Sequence, residues 1–244
     1  MKRVLLKISY DGTAYHGWQI QPNAITVQEV IGDALFKILG EKTNITGCSR
    51  TDAGVHAKEF YLHFDCDEKL PADAFLRGLT ALLPSDISVT EYKEVDPDFH
   101  ARYSAKAKVY QYTILNSRIR NPFLSRYSWQ IGRPLNVERM NDFLSRLIGI
   151  HDFEAFSSSG RTVKDTVREI YECFAEEKDN IIKITVKGNG FLYNMVRIIV
   201  GTAVDVSDGK IEPWDAEKIL LSKDRNLAGK TAPPEGLSLE KVIY

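Results

Sequence analysis

The sequence predicts an α+β protein with two similar lobes that share a long, mostly antiparallel β-sheet flanked by helices. Segments with helical and strand-like patterns alternate along all 244 residues, and no low-complexity linker separates the two halves. We therefore expect an N-terminal lobe over residues 1–105 and a C-terminal lobe over residues 106–244. A hydrophobic content of 43% is enough for a buried core in each lobe.

The pattern of the first half begins with a strand from Val4 to Tyr10. Thr26 and Glu29 have the spacing of a capping box, which predicts a helix that starts there and ends at Gly40. The remaining elements of this half are expected over residues 60–64 (strand), 72–83 (helix, closed by Pro84) and 87–92 (strand).

The second half resembles the first in kind. Its elements are expected over residues 109–115 (strand), 137–148 (helix), 168–174 and 181–186 (antiparallel strands across a turn), 191–204 (buried helix) and 213–221 (helix). Gly160-Arg161-Thr162 weakly resembles Ser49-Arg50-Thr51, with Val163 where the first segment has Asp52. If this is a trace of duplication, only the first copy carries an acid.

The composition is typical of a cytosolic globular protein. No apolar run approaches 18 residues, so no transmembrane helix is expected, and the run after Met1 is too short for a signal peptide. Cys48, Cys66 and Cys173 lack the spacing of metal ligands and fit free thiols in a reducing compartment. We expect a cytoplasmic protein with no membrane association.

A basic stretch stands out against a net charge of −1. Residues 102–134 contain seven Lys and Arg side chains and no Asp or Glu, and aromatic residues are interleaved with them. The basic residues are Arg102, Lys106, Lys108, Arg118, Arg120, Arg126 and Arg133, and the aromatic ones are Tyr103, Tyr110, Tyr112, Phe123, Tyr127 and Trp129. Cations that contact phosphates and rings that stack on bases suit RNA. The alternative is a pair of strands with a solvated basic face.

Asp52 is the first candidate for chemistry. It lies between a short strand-like segment and Ala53-Gly54, where glycine allows a sharp turn. A carboxylate on such a turn would face a cleft, whereas Arg50 would point to the other side of an extended segment. The structural alternative is an Asx turn, in which Asp52 accepts hydrogen bonds from nearby N–H groups.

Arg197 is the second candidate, because it interrupts an apolar helix. A cation in that position is costly unless it is paired. It could bind a structural acid, reach the surface with its head group, or hold a catalytic carboxylate. We favour the third interpretation, with Asp52 as the partner that Arg197 keeps ionised.

Other chemistries lack support in the motifs. His16, His56 and His63 form no H-E-x-x-H pair and stand beside no cysteine ligand, so no metal site is expected. A serine-nucleophile elbow, a P-loop and a complete dinucleotide-binding motif are all missing from the sequence.

The motifs resemble those of a known family. The run Ser49-Arg50-Thr51-Asp52-Ala53-Gly54-Val55-His56-Ala57 closely resembles the active-site motif of the tRNA pseudouridine synthase A (TruA) family, except that many members have glycine at the position of Ser49. Further matches follow in order at residues 10–19 (YDGTAYHGWQ), 26–29 (TVQE), 99–102 (FHAR), 108–112 (KVYQY), 194–201 (NMVRIIVG) and 232–237 (APPEGL).

The resemblance implies a pseudouridine synthase fold with the active site in a cleft between the lobes. It also implies a cofactor-free, metal-free reaction on uridines 38, 39 and 40 of the tRNA anticodon stem-loop, carried out by a homodimer. Asp52 would be the nucleophile, attacking either C6 of uracil or C1′ of ribose. Tyr110 would stack on the target base and assist proton removal from C5, and Arg197 would pair with Asp52. Arg50 would fill the space left by the flipped nucleotide, and Leu237 would line the pocket.

Two other functions remain as alternatives. A non-catalytic RNA-binding protein would explain the basic stretch but would give Asp52 and Arg197 no shared purpose. A metal-dependent nuclease would place Asp11, Asp52 and a histidine around Mg²⁺ and would lose activity in a chelator.

Overall fold

The computed structural model describes residues 1–66, 70–160 and 165–244. Within these ranges the strands are β1 (Lys2–Tyr10), β2 (Thr46–Gly47), β3 (His56–Cys66), β4 (Ile87–Val95), β5 (Ala107–Leu115), β6 (Trp129–Gln130), β7 (Gly149–Asp152), β8 (Val167–Lys178), β9 (Ile181–Gly188) and β10 (Leu237–Ile243). The α-helices are α1 (Val27–Leu39), α2 (Leu79–Leu82), α3 (Val137–Ser145), α4 (Met195–Ser207) and α5 (Asp215–Ser222). The weak repeat at Gly160-Arg161-Thr162-Val163 falls, after Gly160, outside the described residues.

The chain forms two compact units. Unit 1 comprises Met1–Lys106 together with Ser238–Tyr244, and unit 2 comprises Ala107–Leu237. Residues 238–244 therefore belong to the same unit as residues 1–106. Each unit combines a mostly antiparallel sheet with helices, which confirms the predicted α+β class.

The sheet of unit 1 has the order β4-β1-β3-β10, with the short β2 also paired to β3. β1 is antiparallel to both β3 and β4, whereas β10 is parallel to β3. In that parallel pair Ser238 lies opposite His56 and Leu239 lies opposite Ala57. The start of β3, which directly follows the Asp52 segment, is thus hydrogen-bonded to the last strand of the chain.

The helices of unit 1 follow local signals in the sequence. Thr26 caps α1 by accepting a hydrogen bond from the Glu29 amide, and Gly40 ends the helix with a φ of 77°, so the predicted boundaries are confirmed. The helix predicted over residues 72–83 contains a π-helical turn, Ala74–Gly78, before α2. The ring of Phe75 in this turn is fully buried.

The sheet of unit 2 has the order β6-β5-β9-β8-β7. β5, β9, β8 and β7 form antiparallel pairs, and β6 is parallel to β5. Asp179 and Asn180 connect β8 to β9 with φ values of 53° and 63°. Aspartate and asparagine tolerate this conformation, and the predicted hairpin is confirmed.

Two helices of unit 2 differ in their bounds from the helices predicted over residues 137–148 and 191–204. α3 ends at Ser145, three residues before the predicted end. α4 begins at Met195 because Asn194 has a φ of 60°, which the predicted helix over residues 191–204 did not allow for. None of the helices in the described ranges is long and apolar enough to cross a membrane.

Candidate active site

Asp52 lies in unit 1 at the start of a tight turn. The Val55 amide donates a hydrogen bond to the Asp52 carbonyl at 3.1 Å, and Gly54 has a φ of 78°. Positive φ at the third residue of a four-residue turn is typical of type II turns and favours glycine. The sharp turn predicted from Ala53-Gly54 is therefore confirmed, and it leaves the Asp52 side chain half-buried.

Residues 10–18 form hydrogen bonds with this turn. The Trp18 amide donates to the Thr51 carbonyl at 3.1 Å, and the Gly54 amide donates to the Tyr15 carbonyl at 3.1 Å. A buried hydrogen bond of 2.8 Å joins the hydroxyls of Tyr10 and Thr51. The backbone is thus held on both sides of Asp52 by partners that are about forty positions away in the sequence.

Two glycines in residues 10–18 permit this close approach. A Cβ at Gly12 would lie 2.1 Å from the Val55 carbonyl oxygen, and a Cβ at Gly17 would lie 2.4 Å from the Thr51 carbonyl oxygen. Gly17 also has a φ of 83°. No other residue type fits either position without moving the backbone next to Asp52.

His56 adds a side-chain contact at the start of β3. It is buried, and its Nδ1 accepts a hydrogen bond from the Gly12 amide at 3.0 Å. One carboxylate oxygen of Asp11 lies 3.1 Å from the same nitrogen and accepts a hydrogen bond from the Thr13 amide. We did not predict this anchoring function for His56.

Arg50 lies on the other side of Thr51 from Asp52. Its side chain is exposed, whereas Thr51 is buried. Residues two apart in an extended segment point to the same side, so the alternation of side chains does not separate Arg50 from Asp52, and the function expected of Arg50 stays a prediction.

Tyr110 lies in unit 2 on β5, opposite Val186 of β9. Its side chain is only 5% exposed, and its ring meets Phe191 edge to face with centroids 5.1 Å apart. Such edge-to-face packing fixes the plane of a tyrosine ring.

Arg197 lies on α4 between the buried Val196 and Ile198. Its Nε donates to the Ala232 carbonyl at 2.8 Å, and its Nη1 donates to Oδ1 of Asn194 at 2.8 Å. The Ala232 amide in turn donates to the Arg197 carbonyl at 3.0 Å. Two of the guanidinium nitrogens are therefore oriented by neighbours within unit 2, and its pairing with Asp52 stays a prediction.

Leu237 follows residues 232–236, the segment in which the Ala232 carbonyl accepts the hydrogen bond from Arg197. The Tyr112 hydroxyl donates to the Pro233 carbonyl at 2.7 Å, and a Cβ at Gly236 would lie 2.6 Å from the Tyr112 ring. Leu237 itself is buried. Burial raises the pKa of the Tyr112 phenol well above its usual range, so this group remains a hydrogen-bond donor at all ordinary pH values.

Comparison with known proteins adds the decisive observation. The sequence profile of the family described as tRNA pseudouridine synthase matches residues 7–104 and 144–244. The chain belongs to the tRNA pseudouridine synthase A family. It is an RNA pseudouridine synthase, an isomerase, as the resemblance implied.

Relatives match this family member over its whole length. The chain is 50% identical to tRNA pseudouridine synthase A from Thermoanaerobacter sp. (strain X514) over 244 residues, with 100% of both chains covered. It is also 50% identical to tRNA pseudouridine synthase A from Ruminiclostridium cellulolyticum over 246 residues, again with 100% of both covered. A crystal structure of a Cbf5-Nop10-Gar1 complex aligns with 96% of this chain and 57% of that chain at 10% identity and a TM-score of 0.37, a likeness too distant to add to the assignment.

The predicted site residues of this synthase are divided between the units. Asp52 and Arg50 lie in unit 1, and Tyr110, Arg197 and Leu237 lie in unit 2. Within the described ranges, no group of three or more His, Cys, Asp or Glu side chains is arranged to hold a metal ion.

The basic stretch of residues 102–134 separates into two environments. Lys108, Tyr110 and Tyr112 are buried on β5, so Tyr112 is not an exposed stacking residue but the anchor for Pro233. The loop that follows β5 carries exposed side chains, among them Arg118, Arg120 and Phe123. The sequence could not separate the two groups, since only the pairing of β5 with β9 defines which side chains face inward.

Proposed function

We propose that this chain converts uridines at positions 38, 39 and 40 of the tRNA anticodon stem-loop to pseudouridine, with Asp52 as the nucleophile. The tRNA pseudouridine synthase activity follows from the family, and the observation that supports the finer assignment is the fixed turn that carries Asp52. A nucleophile gains most when its position is set before the substrate arrives. The hydrogen bonds that this turn forms with Tyr15, Trp18 and Tyr10 supply that rigidity.

The reaction is an isomerisation and needs no net oxidant or co-reactant. The C1′–N1 bond breaks, the base rotates, and a C1′–C5 bond forms. The proton lost from C5 is balanced by the proton gained at N1. Asp52 attacks either C6 or C1′ in this scheme, and both routes require the carboxylate to be ionised.

Arg197 would keep that carboxylate ionised. A guanidinium close to a carboxylate favours the charged form of the acid. The bonds to Ala232 and Asn194 restrict the rotamers of Arg197, so less entropy would be lost when it engages an anion.

The other three residues would bind the substrate. The target base would stack on Tyr110, whose ring plane is fixed by Phe191. Tyr110 would also assist proton removal from C5. The exposed Arg50 would enter the space left by the flipped nucleotide, and Leu237 would supply apolar contact to the base.

The proposed enzyme acts as a cytoplasmic homodimer and needs neither a cofactor nor a metal ion. Light scattering on the purified chain would give the oligomeric state directly, and a monomer at micromolar concentration would contradict the dimer.

The central experiment measures pseudouridine formation in unmodified tRNA in the presence of EDTA. Transcripts with a single uridine at position 38, 39 or 40 should each be converted, whereas transcripts with cytidine at all three should not. Loss of activity in EDTA, or conversion only at other positions, would reject the proposal.

Asp52→Asn tests the nucleophile. It should fold and bind tRNA like the original chain but lose more than about 10³-fold in turnover, because the amide cannot attack. Asp33→Asn, at an exposed position on α1, is the matched control and should retain full activity. Turnover of Asp52→Asn close to that of the control would remove Asp52 from this function.

A further inference from the structure

The loop of residues 117–127, here named the arginine loop, connects β5 to β6 in unit 2. Two large apolar side chains of this loop are exposed: Phe123 is 88% exposed and Ile119 is 81% exposed. Arg118 and Arg120 on either side of Ile119 are also exposed. Exposed apolar side chains rimmed by charged ones are typical of a surface that binds a partner.

Hydrogen bonds within the arginine loop fix its backbone. The Phe123 amide donates to Oδ1 of Asn121 at 3.0 Å, and the Leu124 amide donates to the Asn121 carbonyl at 3.1 Å. The Tyr127 amide donates to the Leu124 carbonyl at 3.0 Å. Phe123 is therefore presented from an ordered turn, which lowers the entropy lost when the ring is covered.

Hydrogen bonds also connect the residues at the two ends of the arginine loop. The side-chain amide of Asn116 donates to the carbonyls of Ile131 and Arg133 at 2.9 and 2.6 Å, and that of Gln130 donates to the Ser117 carbonyl at 3.1 Å. These bonds tie the two ends of the loop to each other.

Arg118 and Arg120 give the arginine loop a positive charge. Neither Arg118 nor Arg120 forms an ion pair with a carboxylate in the part of the chain that the structure describes. Residues 102–134 contain no Asp or Glu. The partner should therefore be an anion that also offers flat apolar surfaces.

RNA fits this chemistry better than a second copy of the chain. Unstacked nucleotides present phosphates for arginine and base faces for an aromatic ring. A twofold contact centred on the arginine loop would instead bring Arg118 and Arg120 of one copy against the same residues of the other, and like charges repel.

We propose that the arginine loop binds an unstacked nucleotide of the substrate RNA, with a base stacked on Phe123 and adjacent phosphates on Arg118 and Arg120. This proposal rests on tRNA as the substrate. Because Phe123 is 88% exposed on this loop and Tyr110 is only 5% exposed on β5, the nucleotide on Phe123 is proposed to be a different one from the target base that stacks on Tyr110.

Phe123→Ala and Phe123→Trp test the stacking contact by equilibrium binding of unmodified tRNA. Phe123→Ala should weaken binding about tenfold, in the range of a single stacking contact, and leave kcat unchanged at saturating tRNA. Phe123→Trp should restore binding, and tRNA should quench its added fluorescence. The matched control is Leu221→Ala, an equally exposed apolar residue (83%) on α5, which should bind tRNA as before.

Arg118→Ala/Arg120→Ala tests the phosphate contacts through salt dependence. The slope of log K against log salt should become less steep by about 1.5 for two lost phosphate contacts. Lys37→Ala/Lys218→Ala removes the same charge from exposed helix positions and should leave the slope unchanged.

The outcomes separate this proposal from the function it rests on. If tRNA is converted to its pseudouridine form but Phe123→Ala binds it as tightly as the original chain, the arginine loop is not an RNA contact. If Phe123→Ala dissociates a dimer and leaves tRNA binding unchanged, the loop is a self-association surface and the proposal fails. If no pseudouridine forms with the original chain, the proposed function fails, whatever Phe123 contributes to binding.

Discussion

The amide of Gly12 donates a hydrogen bond to Nδ1 of His56 at 3.0 Å, in a place where a side chain at residue 12 would collide with the Val55 carbonyl. This contact lies just beyond the pairing of Tyr10 with Ala57, which joins the end of β1 to the beginning of β3. The turn that carries Asp52 lies immediately before His56 in the chain. Its geometry therefore depends on a residue type and a side-chain acceptor that take no part in the proposed chemistry.

His56→Leu should reduce both stability and turnover. It leaves the buried Gly12 amide without its acceptor, which costs about 1–3 kcal/mol. His56→Asn places an amide oxygen near the position of Nδ1 and should recover part of the loss. Urea unfolding and single-turnover assays measure both effects, and equal stability of the Leu and Asn variants would argue against the hydrogen bond as the cause.

Gly17→Ala should destabilise the protein by roughly 1–3 kcal/mol and lower kcat, because it combines backbone strain with a collision. Gly40→Ala is the matched control, since Gly40 has a similar φ of 77° but nothing within 4 Å of the added Cβ. The difference in unfolding free energy between the two variants isolates the contact with Thr51. If they are equally stable and equally active, close approach to Thr51 is unimportant.

The stability of the fold should fall in mild acid because of His63. Burial, with smaller contributions from the charges of Arg3 and His100, lowers the pKa of His63 to about 4, and Asp65 opposes this shift only weakly. Burial also lowers the pKa of His100. The unfolded chain binds these protons near pH 6.5, more tightly than the folded protein does. The contribution to stability is therefore complete above about pH 6.5 and is lost as the pH falls towards 4.

His63→Asn should flatten this pH dependence. Asparagine retains an acceptor for the Ala101 amide, which His63 Nδ1 binds at 3.1 Å, but it does not titrate. Urea midpoints measured from pH 7 to pH 4 should change less for this variant than for the original chain. His16→Asn, at an exposed position of the same unit, is the control and should retain the original profile.

Tyr110→Phe should slow product formation by about 10-fold or more while tRNA binding is largely kept. The ring and its contact with Phe191 remain, so stacking survives, but the hydroxyl that would assist proton removal is gone. Rapid-quench single-turnover assays and equilibrium binding distinguish the two contributions. Unchanged single-turnover rates would leave Tyr110 with the stacking function alone, and Tyr103→Phe is the exposed control.

The elements that could be predicted from the sequence are those whose boundaries are set by residues close to them in the chain. The boundaries of α1 follow from a cap at Thr26 and a glycine at residue 40, and the hairpin between β8 and β9 follows from Asp179 and Asn180. The start of α4 was missed because residues 191–193 are as apolar as a buried helix, while Asn194 adopts a left-handed conformation that sequence periodicity does not reveal. The hydrophobic pattern likewise does not distinguish the π-helical turn around Phe75 from an α-helix.

The candidate site was predictable only in part, for the same reason. Gly54 indicated the turn at Asp52, and the apolar surroundings of Arg197 indicated an unusual arginine. The contacts of Gly12, Gly17 and His56 join residues about forty positions apart, so no local pattern encodes them. The resemblance to the family supplied the motif at residues 10–19 without its physical reason, which is the close approach of its two glycines to the Asp52 turn.

The parallel pair of β3 and β10 has a consequence for synthesis on the ribosome. Residues 238–244 are translated only after the whole of unit 2, yet Ser238 is the register partner of His56. A nascent chain that has completed residues 1–106 thus lacks the strand that borders the start of β3, next to the Asp52 turn. Unit 1 can reach its final hydrogen bonding only late in translation, and the proposed nucleophile would gain its complete support at that stage.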